Sequence, residues 1–587
     1  MHVVRESSSG FQSLPLSISI LKPASWIPSP GFVSCHSSVP YCEPLIINWL
    51  CMSPRYLYLA PSSREIMSVE YLYVLPVLAS FTFYLVCAIL LQRSRQKTIQ
   101  KLGCKPPPGL PQLDPFFGLD VVFQVLSSFR ERRRNTSFKE QFDRFGPTFQ
   151  SQVYGTIKLF TIEPKNLQSV FSTDFESWGV QPLRLFFFGP FVGKGIMTTD
   201  GAFWEHSRAL MRPTFSRLQI ANLSAYSVHV DRLIDLIPKD GSNVDLQPLF
   251  ARLALDSCTE FLFGQSTASL ASTAVADAST FLEAYNYGQA GVGKRMQLPQ
   301  WNFLTRDRRF WRSCAIAREF VEKYVEKALS SQESADNKSD RLILAHEFAK
   351  RTKDRDDIRN QLLNVFLPAH DATSVALTNI FFNLARNPEI YAKLREEILA
   401  AGDAEWTFER LKNLKYLQNV MNETFRLNPA IGQMNRIALR DTVLPTGGGP
   451  TGTSPIFVKK GSGVTTSFYA LHRLPNIYGP DAHIFRPERW QTLRPAHWSY
   501  MPFGGGPRVC IGQQLALTEV GYAIARIVGH FPRIENADPV LEFVEQWKLT
   551  TDSKNGAKVR LFRTWVWPSK RDGVYSARWT IGEALPT

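Results

Sequence analysis

The chain has no disulfide rhythm. Its eight cysteines, Cys35, Cys42, Cys51, Cys87, Cys104, Cys258, Cys314 and Cys510, lack the paired spacing of a zinc ligand set or a disulfide framework. This excludes a cysteine-stapled secreted scaffold and points to a reducing, cytosolic face for most of the chain. Basic residues outnumber acidic ones, 67 to 52, for a net charge of +15, yet there is no long Lys/Arg block and no nucleic-acid motif. The excess suits an anionic membrane surface rather than nucleic acid. No recognisable signal peptide opens the chain, and residues 1–66 are Ser/Pro-rich without helical or strand periodicity. Met67-Ser68-Val69-Glu70 reads as a natural start. Residues 1–66 are therefore expected to be an over-extended reading frame or a disordered lumenal extension.

Charge is also missing from Tyr71 to Leu91, a run of 21 residues. At about 1.5 Å per residue such a helix spans roughly 30 Å, the thickness of a bilayer core. Arg93, Arg95, Lys97 and Lys101 follow at once, whereas Arg64 is the nearest cation upstream. The positive-inside bias then places the remainder of the chain in the cytosol. The expected anchor is 67–92. Residues 93–115 form a basic flank and a stiff proline-rich hinge, with Lys105-Pro106-Pro107-Pro108-Gly109-Leu110-Pro111 as a spacer. An apolar content of 44% suits a globular core for residues 116–563, and the tail 564–587 stays unassigned.

The most informative stretch is Phe503-Gly504-Gly505-Gly506-Pro507-Arg508-Val509-Cys510-Ile511-Gly512, a glycine-rich loop that delivers one cysteine to the start of a helical pattern. A thiolate that ligates a metal needs electropositive surroundings, which free N–H groups at a helix start supply. Glycines lacking Cβ let a loop press against a flat group. Alone, a cysteine is usually a small buried hydrophobe; the spacing here argues otherwise. The run resembles the haem-binding signature of the cytochrome P450 family, matched by Phe503, Gly506, Arg508, Cys510 and Gly512. The resemblance implies Cys510 as proximal ligand of the iron of haem b, with Phe503, Arg508 and Gly512 at the cofactor.

Further motifs recur in the family's order. Glu423-Thr424-Phe425-Arg426 lies on an amphipathic stretch near Leu411–Leu427, followed by Phe485-Arg486-Pro487-Glu488-Arg489-Trp490. The resemblance implies a buried Glu423–Arg426–Arg489 cluster that locks the segment before the Cys510 loop, where partnering is obligatory. Trp204 and Arg208 stand four apart on one helix face. With Arg436 in Asn435-Arg436-Ile437-Ala438, they match the family's haem-propionate donors. The likeness runs from about Pro106 to Arg563. It implies a mainly α fold with a small β portion, the cytochrome P450 fold, with one N-terminal transmembrane helix. Contacts to one cofactor from Trp204 to Cys510 make 116–563 one large domain.

One motif departs from the pattern. The family's oxygen-activating helix carries an acid followed by an alcohol, and here the segment reads Pro368-Ala369-His370-Asp371-Ala372-Thr373-Ser374. Asp371 takes the acid position, Ala372 the alcohol position, and Thr373 comes one later. Thr373 points about 100° from residue 372 on a regular helix. It serves as relay only where the helix unwinds locally, which Pro368 favours. Asp371 and Thr373 are the expected proton-relay residues. His370 is a further candidate donor, weighed against a plain helix-face histidine.

The resemblance implies a monooxygenase that inserts one oxygen atom from O2 into a lipophilic substrate by hydroxylation or epoxidation. Electrons come from NADPH through an NADPH-cytochrome reductase, with cytochrome b5 as an optional second donor. Localisation follows as single-pass in the endoplasmic reticulum membrane, with membrane lipid as a partner and the catalytic domain cytosolic. The aromatic run Phe186-Phe187-Phe188-Gly189-Pro190-Phe191 is expected in a loop roofing the pocket. Scaffold stretches such as Thr161-Ile162-Glu163-Pro164 and Val244-Asp245-Leu246-Gln247 resemble the fungal class that oxidises alkanes and fatty acids, and tailoring of a secondary metabolite stands beside that reading. Two alternatives remain open: a haem-thiolate isomerase or dehydratase needing neither O2 nor reductase, and a haem-binding protein without turnover.

Overall fold

The computed structural model describes residues 63–216, 223–271, 276–297, 307–330, 343–402 and 404–563. Most of the stretch 1–66 and the tail from 564 lie outside these residues. The chain divides into two units, Met1–Ile89 and Leu90–Thr587. The described part of the first is helical and belongs to α1 (Ser63–Leu102), which runs through Pro76. Its apolar side chains are uncovered, with Val77 and Tyr84 each 66% exposed. Among the described residues α1 is the one helix long and apolar enough to cross a membrane.

The second unit is mainly helical. Its principal helices are α2 (Gln181–Val192), α3 (Gly201–Met211), α4 (Leu246–Phe263), α5 (Ala276–Gln297), α6 (Arg355–Arg386), α7 (Lys415–Leu427) and α8 (Gln513–His530). The 32-residue α6 begins where Asp354 caps the amides of Asp356 and Asp357 at 2.9 and 3.2 Å, and ends before Pro388. It is buried along most of its length against α4, with the Phe250 and Phe381 rings 5.3 Å apart. α7 is amphipathic and stops ahead of Asn428-Pro429.

The β portion is small. β1 (Thr148–Val153), β2 (Thr156–Thr161), β3 (Trp178–Gly179), β5 (Gln433–Ala438) and β8 (Gly463–Ser467) form one sheet in the order β1-β2-β8-β5-β3. β4 (Asp240–Asp245), β9 (Arg533–Asn536) and β12 (Lys558–Phe562) form a second, ordered β4-β12-β9. Two hairpins complete it, β6 (Thr442–Gly448) with β7 (Ser454–Val458), and β10 (Glu545–Trp547) with β11 (Thr551–Ser553).

Two expectations change. The aromatic run does not form a loop: Phe186 to Phe191 lie in α2, and Phe187, Phe188 and Phe191 are buried in the core at 2, 7 and 0% exposure. Only Phe186 stays exposed, because a helix turns each side chain about 100° from the next and so sends successive aromatics to different faces. The proline segment is not a free spacer either. Lys105 N–H donates to the Pro455 carbonyl at 2.8 Å, Leu110 N–H to Gln150 at 2.8 Å, and Gln150 N–H to Pro108 at 2.8 Å. Extended prolines cannot donate, but their carbonyls pair readily with a sheet edge.

Candidate active site

The cysteine loop rests on a buried ionic scaffold. Glu423 and Arg426, three residues apart on α7, pair twice, Arg426 Nε to Oε2 at 2.9 Å and Nη2 to Oε1 at 2.8 Å, with both side chains at 0% exposure. Arg426 Nη1 also donates to the carbonyls of His472 and Ala482 at 2.9 and 2.6 Å. Arg489 Nε and Trp490 Nε1 reach Glu423 at 3.4 and 2.9 Å. The three expected residues therefore meet. Their bonds fix 472–490, and the next contacts carry the order to the loop. His472 Nε2 accepts from Met501 N–H at 2.9 Å, and Tyr500 Oη donates to the Asn422 carbonyl at 3.0 Å. Burial, with the nearby Arg426 and Arg473 charges, pushes His472 down to about 3, so it stays a neutral acceptor.

The loop itself is shaped by glycine. Gly506 has φ +66° and passes so close to the Phe171 carbonyl oxygen that a Cβ would lie 1.7 Å from it, so no other residue fits. Cys510 N–H donates to the Phe503 carbonyl at 3.1 Å, closing the loop ahead of α8. The Phe503 ring packs edge-on against Phe425 of α7, 5.7 Å between centroids. Cys510 is exposed, yet burial raises its pKa. Both hold together when accessible surface opens into a recess ringed by protein. The Gly512 N–H and the Arg208 charge oppose the rise by favouring the thiolate.

Cations crowd the neighbouring surface. Arg508 stacks over the buried Trp204 ring at 4.4 Å, and Arg208 lies 5.9 Å from it. Arg508 pairs with Asp200 at 2.7 Å, but its Nε is buried without a partner. Arg436, on β5 and 3% exposed, also has a partnerless buried Nε. Burial holds Arg436 well below the ordinary guanidinium range, and the charges of Arg184 and Arg508 add to this against Asp200 alone. Three guanidiniums thus share one carboxylate. An anion is the natural complement to such a cluster. Arg184, on α2, was not singled out in the sequence; its only signal there is a cation within an aromatic run.

Across the site, α6 is unbroken through Pro368. Pro368 is exposed and Ala369, Ala372 and Ala376 are half-buried, whereas His370, Asp371, Thr373 and Ser374 are buried. The open face is therefore the i, i+4 stripe of residues 368, 372 and 376. Ala369 and Ile511, the neighbour of Cys510, join one apolar cluster. The structure does not bring Thr373 to the open face: the local unwinding its relay role requires is absent, and Thr373 is 5% exposed. Both His370 nitrogens lack partners, its ring stacks on Phe366 at 5.8 Å, and burial depresses its pKa. Asp371 Oδ2 accepts a hydrogen bond from Thr550 Oγ1 on the β10–β11 turn.

These residues fit a haem-thiolate group: a recessed cysteine with thiolate-favouring donors, a glycine cradle, and buried guanidiniums of Arg436 and Arg508 whose Nε atoms have no partner. The match to the family described as Cytochrome P450 covers residues 108–557. The chain belongs to the cytochrome P450 family, whose cofactor is haem with an axial cysteine thiolate, and it is a monooxygenase acting on small molecules. It is 39% identical over 483 residues to Cytochrome P450 monooxygenase himC of Aspergillus japonicus, covering 81% of this chain and 86% of that one. Identity is 37% over 500 residues to Cytochrome P450 monooxygenase fsdH of Fusarium heterosporum, 82% and 87% covered. It is 38% over 465 residues to Cytochrome P450 52A12 of Debaryomyces hansenii, 76% and 89% covered.

Proposed function

We propose that Cys510 is the axial ligand and that Arg184, Arg208, Arg436 and Arg508, with Trp204 as a stacking platform, hold the propionates, in a monooxygenase of lipophilic substrates. Haem, when bound, would supply the iron at which O2 is activated, and the Cys510 thiolate would be the ligand that favours O–O cleavage. The overall change is RH + O2 + NADPH + H⁺ to ROH + NADP⁺ + H2O, with electrons passed by a reductase and optionally cytochrome b5. The chain's own part is threefold. Gly512 N–H and Arg208 favour the thiolate against the burial that raises its pKa, the scaffold fixes the loop, and the apolar stripe of α6 keeps water away from the reacting carbon while Thr550 holds Asp371 in place. The observation that carries this reading is Cys510 next to the Arg208 charge, with Arg184, Arg436 and Arg508 set against the single carboxylate of Asp200. The substrate is a fatty chain or the skeleton of a secondary metabolite, as the apolar lining and the scaffold stretches favour.

Arg436→Gln tests the propionate role. A charge-assisted hydrogen bond of about 1.5–3 kcal/mol corresponds to roughly 10–100-fold in dissociation. Haem transfer to excess apomyoglobin should accelerate by that factor in the variant. An unchanged transfer rate assigns the propionates to other residues.

The membrane reading rests on α1 and on Leu113, Phe116, Phe117 and Phe123, which are 63–94% exposed just beyond it. A single-pass anchor in the endoplasmic reticulum with a cytosolic haem domain follows from the cationic flank. A chain starting at Met67 should stay in the membrane pellet after carbonate extraction with full haem content. One starting at Pro106 should lose most stable membrane binding. Loss of haem on deleting residues 1–66 alone would show that this segment belongs to the working protein.

A further inference from the structure

The acid of α6 is held from a segment 179 residues away. Thr550, in the turn joining β10 to β11, donates its hydroxyl hydrogen to Asp371 Oδ2. The same turn carries Lys548, and β11 carries Asp552. Asp552 Oδ2 accepts from Gln247 Nε2 at 2.7 Å and lies 3.4 Å from Lys548 Nζ. Asp552 Oδ1 is buried with no protein partner. The side chain of Lys548 is 31% exposed and that of Asp552 4%. A solvent-touching ammonium and a buried carboxyl thus flank the Thr550 hydroxyl that bonds Asp371, and the Asp371 charge is felt at Asp552.

We propose that this turn is the proton intake of the site: Asp552 takes up a proton beside Lys548, and the Thr550 hydroxyl positions and recharges Asp371, standing in for the alcohol that Ala372 lacks. The inference rests on the reading that α6 serves oxygen chemistry at a Cys510-ligated haem. Each proton Asp371 gives up is replaced by the Thr550 O–H, whose oxygen takes a proton in turn from a water on Asp552. The net change is one proton moved inward, with no redox change in the chain. Burial pushes Asp552 up to about 6, with Lys548 pulling down and the Asp371 charge pushing up, so it exchanges protons near neutrality. The other groups facing Asp371 fit less well. His370 is neutral and partnerless, and Tyr285 is buried with its hydroxyl spent on the Leu367 carbonyl at 3.3 Å. A hairpin merely pinned to a helix would show the same hydrogen bond, so the test must separate position from proton transfer.

The test uses the haem-loaded full chain with purified reductase, NADPH and no added substrate, and reads peroxide released per NADPH consumed. Thr550→Val should raise that ratio about threefold or more, within the ordinary range of general acid effects, and Thr550→Ser should restore it. An unchanged ratio in Thr550→Val, or an equal rise in Thr550→Ser, overturns the relay. A second readout needs no turnover. With a folded pKa above its unfolded value, Asp552 binds more protons folded than unfolded between about pH 4 and 6, so stability falls as pH rises through that window. Asp552→Asn should remove this fall in the melting temperature. Asp371→Asn, which removes the negative neighbour, should move it to lower pH. A fall that ignores Asp371→Asn overturns the coupling. Should the wild type lack a thiolate-type reduced-CO spectrum, the haem reading fails, whereas these melting curves still decide the coupling.

Discussion

Replacing Cys510 with serine is expected to abolish the thiolate-type absorption of the reduced CO complex and all monooxygenase turnover, while leaving the chain folded. A serine hydroxyl stays protonated near neutral pH and cannot take the place of a thiolate ligand. Of the other described cysteines, Cys104, Cys258 and Cys314 are buried in packed structure, and Cys87 lies on the apolar helix α1. Folding should survive because Cys510 faces a recess rather than the packed core, and its loop is held by the Phe503 carbonyl and by Gly506. The change should appear in absorption spectra of purified protein, with circular dichroism as the folding control. A surviving thiolate band in the variant would assign the ligand elsewhere.

Arg426→Ala is expected to prevent accumulation of haem-loaded protein. It leaves Glu423 charged at 0% exposure, with Arg489 and Trp490 as remaining side-chain partners, and strips donors from the carbonyls of His472 and Ala482. Breaking a buried ion pair from one side costs about 3–5 kcal/mol, a large share of a typical stability of roughly 5–15 kcal/mol. Haem content per mole of chain and the thermal midpoint should both fall. Arg489→Lys should do less harm, because the bidentate Glu423–Arg426 pair is untouched. A loss below about 1 kcal/mol in Arg426→Ala would mean that the pair is not what fixes the segment before the loop.

What was legible in the sequence was chemistry compressed into short spacings. Cys510 with its glycines, Glu423 with Arg426, and Trp204 with Arg208 each lie within one loop or one helical turn, so local geometry already joins them. The uncharged run ahead of Arg93 is legible for the same reason. Contacts between distant segments were not. Arg184 enters the cationic cluster only because β3, which leads into α2, pairs with β5, and Thr550 meets Asp371 across 179 residues. Neither pairing leaves a periodic trace. Two local readings also yielded to tertiary context. The aromatic run around Phe187 became helical core, and the prolines before Leu110 paired along a sheet edge through their carbonyls. Thr373 depended on a helix break that Pro368 does not produce, since α6 runs on through it to Arg386.

The central claim is that this chain transfers one atom of O2 to a substrate by means of the Cys510 thiolate. The direct test compares a host producing the wild type with one producing Cys510→Ser, both grown under ¹⁸O2, by untargeted mass spectrometry of lipid extracts. Metabolites that depend on Cys510 should each carry one heavy oxygen atom per hydroxyl or epoxide formed. Products that depend on Cys510 but lack the label, or that form equally under nitrogen, would contradict the monooxygenase account and establish an isomerase or dehydratase instead.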